Sequence, residues 1–326
     1  VRFFERQTQA RAQTTRLLLL FGFMLALLLL LVNLTLALLW RIFCPADCAY
    51  PAWFFSVNTG LTLVFVLGGW WLETSSLEGG GPALARRVGA RETLASRSDE
   101  QRLINVVSEL TIAAGMKPPT VMLLERIHSI NAFACGWDAD DAVVTITRGA
   151  LDQLTRDELQ GLVAHELSHI REGDMRLNMR LAGMVFGLEM IFNMGRSMCE
   201  PDEHGRRSAL ALPGLAIIAC GALGWLAGRL LKAAVSRQRE FLADARAVQF
   251  TRSKDGLGGV LRKAAGQPVG LDRLHSSVQH MLLLGSEQSD WFASHPPIAE
   301  RIRRIYGRPM PAIEPAPNPT PVDWGN

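Results

Sequence analysis

Apolar positions in this chain gather into long uncharged blocks separated by ordinary mixed sequence. Residues 17–40 carry no charge, and Asn33 and Thr35 are the polar exceptions. About 20 apolar residues cross a bilayer as a helix, so this block predicts a transmembrane helix. It is longer than the apolar core of a secretory signal, and no small-residue cleavage site follows it. Residues 51–72 form a second uncharged block, with Trp53 at one end and Trp70 and Trp71 at the other. Indoles at both ends suit the two membrane–water interfaces. Residues 209–228, extending to about 231, are rich in Gly and Ala, which suits close helix packing in lipid. Residues 175–199 are the weakest block, because Arg180 and Glu189 interrupt it. An intramembrane carboxylate is costly, so Glu189 is expected to face other helices.

Between the blocks the pattern changes. Residues 73–98, with Gly79, Gly80, Gly81 and Pro82, read as a flexible entry. Ser98 followed by Gln101 reads as a capping box opening a helix to about residue 114, which Pro118 and Pro119 stop. Three strand-like runs follow at 120–124, 130–134 and 142–147. Thr155 followed by Glu158 is a second capping box, and its helix continues past His169. A helix at about 236–250 and two or three more within 253–306 complete the soluble part. The tail after Arg308 is Pro-rich and expected to be disordered.

Arginines near the block ends set an orientation. Arg2, Arg6, Arg11 and Arg16 precede the first block, and only Arg41 lies between the first two. Arg86, Arg87, Arg91 and Arg97 follow the second, and Arg229, Lys232, Arg237 and Arg239 follow the last. The positive-inside bias places both termini and residues 73–175 in the cytoplasm, in a multi-pass protein of the inner (plasma) membrane. Composition adds exclusions. Apolar residues make up 48% and charged residues 20%, so intrinsic disorder is excluded for most of the chain. The net charge of +3, without a dense basic cluster, does not suggest nucleic acid as a partner. Five scattered cysteines without a CxxC argue against a disulfide scaffold or a cysteine zinc site. A Cys44–Cys48 bridge and unpaired thiols both remain open.

The chemistry concentrates in His165-Glu166-Leu167-Ser168-His169. An i, i+4 spacing stacks both imidazoles on one helical face, where they can share one zinc ion. Glu166 between them can act as general base beside the metal's open position. The alternative is a wet polar face on an amphipathic helix. A catalytic zinc needs a third protein ligand. Glu172 is seven residues from His165, about 10 Å along the axis at about 1.5 Å per residue, too far for the same ion. Glu240 is the better candidate, with Asp244 four residues on to hold the N–H of a ligand histidine. Read alone, Glu240 and Asp244 would equally suit a solvated face paired with Arg237, Arg239 or Arg246. The ligands must also meet on one side of the membrane. Residues 175–199 and 209–231 therefore both cross or neither does, and if both cross, His204 is excluded as a ligand.

Two further segments carry weaker signals. His295-Pro296-Pro297 precedes a basic helix with Arg301, and a His or Arg near zinc can stabilise an oxyanion. The alternative is a turn and an Arg-rich face. Asn131 to Gly136 reads as a strand whose edge could bind an extended peptide, or as an ordinary core strand.

Taken in order, NAFACG at 131–136, HExxH at 165–169, SRQREFLADARAV around Glu240 and Asp244, and SHPPIAERIRRI at 294–305 resemble the HtpX-type membrane metallopeptidases, relatives of the CAAX prenyl endopeptidases. The resemblance covers roughly residues 1–308. It implies one Zn2+ per chain, bound by His165, His169 and Glu240, with Glu166 as general base and Asp244 supporting a ligand histidine. It also implies that Asn131, Ala132 and Phe133 meet the substrate backbone and that His295 and Arg301 act at the oxyanion.

The expected fold is mainly α: a multi-pass helical membrane protein with a zincin-like catalytic domain containing a small β-sheet. Its expected parts are a cytoplasmic tail at 1–16, two transmembrane helices within 17–72, and a gluzincin-type peptidase domain at 73–308. Membrane segments at about 175–199 and 209–231 interrupt that domain, and the tail occupies 309–326. The expected function is zinc-dependent hydrolysis of membrane or misfolded polypeptides at the cytoplasmic face, with the bilayer as the other partner. The alternatives are a non-catalytic scaffold with a structural metal and a prenyl-protein protease.

Overall fold

The structure, a computed structural model, describes residues 2–44, 49–201, 211–266, 281–283 and 295–313. Four long helices dominate it: α1 (Arg2–Phe43), α2 (Phe54–Ser76), α7 (Asp174–Cys199) and α8 (Ala211–Thr251). Between α2 and α7 come α3 (Gly80–Arg87), β1 (Arg91–Glu92), α4 (Ser98–Ala114), β2 (Thr120–Leu124), β3 (Ala132–Cys135), β4 (Val143–Thr147), α5 (Arg148–Gln153) and α6 (Arg156–Glu172). After α8 come α9 (Lys254–Ala265) and α10 (Ile298–Tyr306). The fold is mainly helical with one small mixed sheet.

The long helices form an up-down-up-down bundle. Asn33 Nδ2 donates to Thr59 Oγ1 at 3.0 Å, and Trp40 packs on Phe54 at 5.8 Å, joining α1 to α2 antiparallel. Glycines set the other contacts. A Cβ on Gly187 would lie 3.0 Å from Trp70 N on α2, and one on Gly195 would lie 2.7 Å from Ile218 N on α8. Only small residues let helix backbones approach this closely. Thr15–Ile42 and Phe54–Ser76 are long and apolar enough to cross a membrane, and most of their surface is exposed in the isolated chain. Leu19, Phe23, Val64 and Trp71 are among these exposed apolar residues. The antiparallel α7–α8 hairpin returns the chain to the end from which it left. Glu189 faces into the bundle and accepts from Lys232 Nζ at 3.2 Å.

The sheet and the shorter helices stand at that end. The sheet order is β1-β2-β4-β3, with β2 and β4 parallel and both outer pairs antiparallel. Period-2 alternation divides its side chains. Leu123, Val144 and Ile146 face a core shared with Leu103, Leu162, Val163, Leu257 and Ile302. Met122, Phe133 and Val143 face a second core with Leu84 and Met179. The sheet thus lies between α4, α6, α9 and α10 on one side and α3 with the start of α7 on the other.

Several expectations change. The segment at 73–98 is not a loose entry: α2 runs to Ser76, and α3 and β1 follow. Gly81 N–H donates to Asp141 Oδ2 at 3.1 Å, and a Cβ there would lie 2.7 Å from Cys135 O, so glycine permits a tight backbone approach. Ser98 does not cap α4. The N-cap is Arg97, without a side-chain cap bond, and the Gln101 side chain donates to Asn105 Oδ1 at 2.8 Å in place of closing the box, while Glu100 accepts from Arg91 and Leu94 N–H. β3 begins at Ala132 and β4 at Val143, and the two-residue β1 was not anticipated. The helix expected from about 236 is the second half of α8, uninterrupted from the bundle. The tail is ordered as far as Ile313, which donates to Arg262 O at 3.0 Å. Residues 314–326, His204 and Cys48, with its bridge to Cys44, lie outside the described residues.

Candidate metal centre

α6 carries the HExxH sequence into the core. Thr155 accepts from Glu158 N–H and Glu158 Oε2 accepts from Thr155 N–H at 2.8 Å, completing the capping box read from the sequence. From Glu158 to Ile170 every residue of α6 except Gln160 is buried, because α4, α8, α9 and the sheet surround it. Ser168 Oγ lies 3.4 Å from Ala243 O, in contact with the stretch of α8 that bears Glu240 and Asp244.

Three candidate ligands converge. His165 Nε2 and His169 Nε2 are 3.2 Å apart, and Glu240 Oε2 and Oε1 lie 3.6 and 3.5 Å from them respectively. Bonds of about 2.1 Å at the tetrahedral angle separate two ligand atoms by about 3.4 Å. The triangle therefore fits a tetrahedral zinc ion with a fourth position open. His165, His169 and Glu240 are also the one such group among the described residues.

Carboxylates hold the far side of each imidazole. His165 Nδ1 is 3.1 Å from Asp244 Oδ1, and His169 Nδ1 is 3.0 Å from Asp174 Oδ2. With Nδ1–H facing a carboxylate, the Nε2 lone pair is left for the metal. Arg301, fully buried, grips Asp244 through Nε and Nη2 at 2.9 and 2.7 Å and reaches Glu240 Oε2 at 3.3 Å. Arg239 pairs with Asp174.

The electrostatics favour a cation. Burial disfavours a charged His165, yet Asp244 and Glu240 outweigh it and push its pKa up to about 9. Burial opposes ionisation of Glu240 as well, but His295, Arg301 and His165 hold it well below the ordinary glutamate value. Glu166 differs: burial raises its carboxyl above the ordinary value, against the pull of His165 and His169. Neither Glu166 oxygen has a hydrogen-bond partner among the described residues, and neither ring nitrogen of His295 has one. His295 is 7% exposed, with Nδ1 3.6 Å from Glu240 Oε2. Buried polar atoms are normally satisfied, so these leave hydrogen-bonding capacity open beside the ligand triangle.

The remaining predicted residues divide. Ala132 and Phe133 lie on the edge strand β3 and Asn131 just before it, and all three are buried. Asn131 Oδ1 accepts from Ala132 N–H at 2.9 Å, and Ala132 O accepts from Leu283 N–H at 2.9 Å. Arg301 was expected at the oxyanion. Its guanidinium instead faces Asp244, Glu240 and the Leu283 carbonyl, behind the ligands. Glu172 pairs with Arg246 at 3.1 Å, away from the triangle. Sequence reasoning missed Asp174 and Leu283. For Asp174 the signal was available, since it follows the helix-ending Gly173, five residues after His169.

Comparison with known proteins is consistent with this geometry. Residues 97–308 match peptidase family M48. A protease HtpX homolog of Dictyoglomus turgidum is 37% identical over 228 residues, 67% of this chain and 72% of that protein. The Tropheryma whipplei homolog is 34% identical over 221 residues, 67% and 75% of the two chains. The Listeria monocytogenes homolog is 30% identical over 263 residues, 76% and 86%. The crystal structure of S. mikatae Ste24p covers 92% of this chain and 66% of its own at 15% identity, with a TM-score of 0.38, too loose a likeness to argue from.

Proposed function

This chain belongs to peptidase family M48, and on that premise we propose that it is an integral-membrane zinc endopeptidase acting at the cytoplasmic face on membrane or misfolded proteins. The observation that carries this reading is the ligand triangle of 3.2–3.6 Å edges with the unpartnered carboxylate of Glu166 beside it. His165, His169 and Glu240 would hold one zinc ion. When bound, zinc supplies Lewis acidity, polarising a carbonyl and bringing the pKa of water down to about 7.

The chain's own groups do the rest. Glu166 takes the proton of the attacking water, and its buried carboxylate is a stronger base than an exposed one. It then returns that proton to the leaving amine. His295, whose ring nitrogens have no hydrogen-bond partner among the described residues, donates to the carbonyl oxygen as negative charge develops there. Asp244 and Asp174 keep the two histidines in the metal-binding tautomer. Arg301 is a positioning residue that balances Asp244 and Glu240. The β3 edge aligns the peptide. Residues 73–308 form the catalytic unit, and α1, α2 and the α7–α8 hairpin hold it in the membrane with both termini cytoplasmic. The antiparallel hairpin and the arginine distribution support that placement. A structural-metal scaffold would need a closed ligand shell, and neither Glu172 nor His295 joins the triangle.

The test is made on protein purified in detergent. Zinc content and cleavage of an unfolded protein are measured for wild type and Glu166→Gln. Both should hold about one zinc, and the variant should lose about 10²–10⁴-fold in kcat. Absence of zinc from both would sink the ligand assignment. Equal cleavage by both would sink Glu166 as the base.

A further inference from the structure

The outer edge of β3 is already occupied by the chain itself. Thr147 N–H donates to Asn131 O at 3.1 Å, which turns Asn131 toward β4. Antiparallel pairing alternates, so the backbone groups of Ala132 turn away from the sheet. Those groups are satisfied internally. The Ala132 N–H is bonded to Asn131 Oδ1, and its carbonyl accepts from Leu283 N–H at 2.9 Å. The Leu283 carbonyl in turn accepts from Arg301 Nη1 at 2.8 Å. The same Nη1 lies 3.3 Å from the candidate metal ligand Glu240.

One residue is thus held by both of its main-chain groups, its N–H by the edge strand and its C=O by a guanidinium beside the metal centre. A peptide added to a sheet edge is held in this way, with main-chain bonds for affinity and a side-chain pocket for specificity. Leu283 also has the pocket. It is 1% exposed and packs in the cluster that contains Ile130, Ala132 and Ile302. Met281 and Leu282 are buried beside it, against the cluster on the other face of the sheet.

We propose that residues 281–283 are an internal pseudo-substrate: Leu283 occupies the seat of a substrate residue on β3, so the resting enzyme is self-inhibited. The pocket that Leu283 fills selects a large aliphatic side chain in the displacing substrate. This rests on the peptidase reading above. A seat that is free about 1–10% of the time raises the apparent KM about 10- to 100-fold and leaves kcat alone.

The experiment uses the full zinc-loaded chain in detergent. Leu283→Ala empties the pocket, and Leu283→Pro removes the N–H that bonds Ala132. Both are assayed with quenched fluorescent peptides carrying Leu, Ala, Asp or Lys at one varied position, beside wild type and Glu166→Gln. The expected result is a KM lowered about 10- to 100-fold in both Leu283 variants with kcat near wild type, and a preference for the Leu peptide. Variants that hold zinc and show unchanged or raised KM would overturn the proposal while leaving the peptidase reading intact. Zinc-loaded forms that all fail to cleave would overturn that reading, and the proposal with it. Should either variant fail to fold, hydrogen exchange at 281–283 in wild type decides. Protection lost on adding a metal-directed peptide hydroxamate supports displacement, and protection kept overturns it.

Discussion

Two regions of this molecule bury charge, and they treat it differently. In the bundle, Glu189 and Lys232 face each other across α7 and α8 at 3.2 Å and form an ion pair. At the metal centre, His165, His169, Glu240, Asp244, Asp174 and Arg301 form a connected network, yet Glu166 and His295 keep polar atoms without a hydrogen-bond partner among the described residues. Both regions share α8, whose first half packs on α7 through glycines and whose second half delivers Glu240 and Asp244. A buried charge whose partner closes it is architecture. A buried polar group left open beside a fitted ligand triangle is poised for chemistry.

The largest effect is expected where the network has its one buried guanidinium. Arg301→Met leaves Asp244 buried without its main partner. It should destabilise the sheet-containing half by about 3–5 kcal/mol and release zinc, read as thermal midpoint and metal content. Stability near wild type would show that the centre, like the bundle, is closed pair by pair. Lys232→Met removes a buried partner of Glu189 and should cost up to about 3 kcal/mol. Adding Glu189→Leu should restore stability to within about 1 kcal/mol with proteolysis retained, because the pair is architectural. A double variant that is stable but inactive would break the distinction.

Asp244→Asn keeps the shape but weakens the hold on His165. Zinc affinity should fall about 10–100-fold in a competition titration with a chelator, and no change would mean that Asp244 serves Arg301 alone. The smallest effect sharpens the contrast with a third buried carboxylate. Glu100 is held by Arg91, which brings its pKa down to about 2 against the desolvation that opposes it. Because the folded-state value lies below the unfolded one, the stability is complete above about pH 4.5 and is lost as pH falls toward 2. With Arg91 partly exposed, this is worth about 1–2 kcal/mol. Glu100→Gln should remove that acid limb from the thermal midpoint and leave zinc and cleavage unchanged.

Legibility followed the range of the interaction. The Thr155 capping box, the i, i+4 histidines and the i, i+4 Glu240 and Asp244 are local patterns on single helices, and the structure places them on α6 and α8 as read. Ser98 shows the limit, since the helix starts one residue earlier at the Arg97 N-cap and the Gln101 side chain donates to Asn105 and not back to Ser98. The segment at 73–98 was misread because glycine there serves contact with Asp141 and Cys135, far along the chain, and not looseness. Arg301 was visible as a basic residue after a His-Pro-Pro turn, but its partners come from α8 and residue 283.

The sequence by itself determined the elements and the chemistry. Uncharged runs of helical length, capping signals and the spacing of His165, Glu166 and His169 act within a few residues, where periodicity and side-chain type suffice. Only the tertiary structure decided which groups are closed and which stay open. It turned Asp174 and Asp244 onto the histidines, set Arg301 behind Asp244 and Glu240, and laid Leu283 along β3. These outcomes depend on packing that joins positions up to 151 residues apart, Ala132 and Leu283 among them, and no local pattern encodes such a distance.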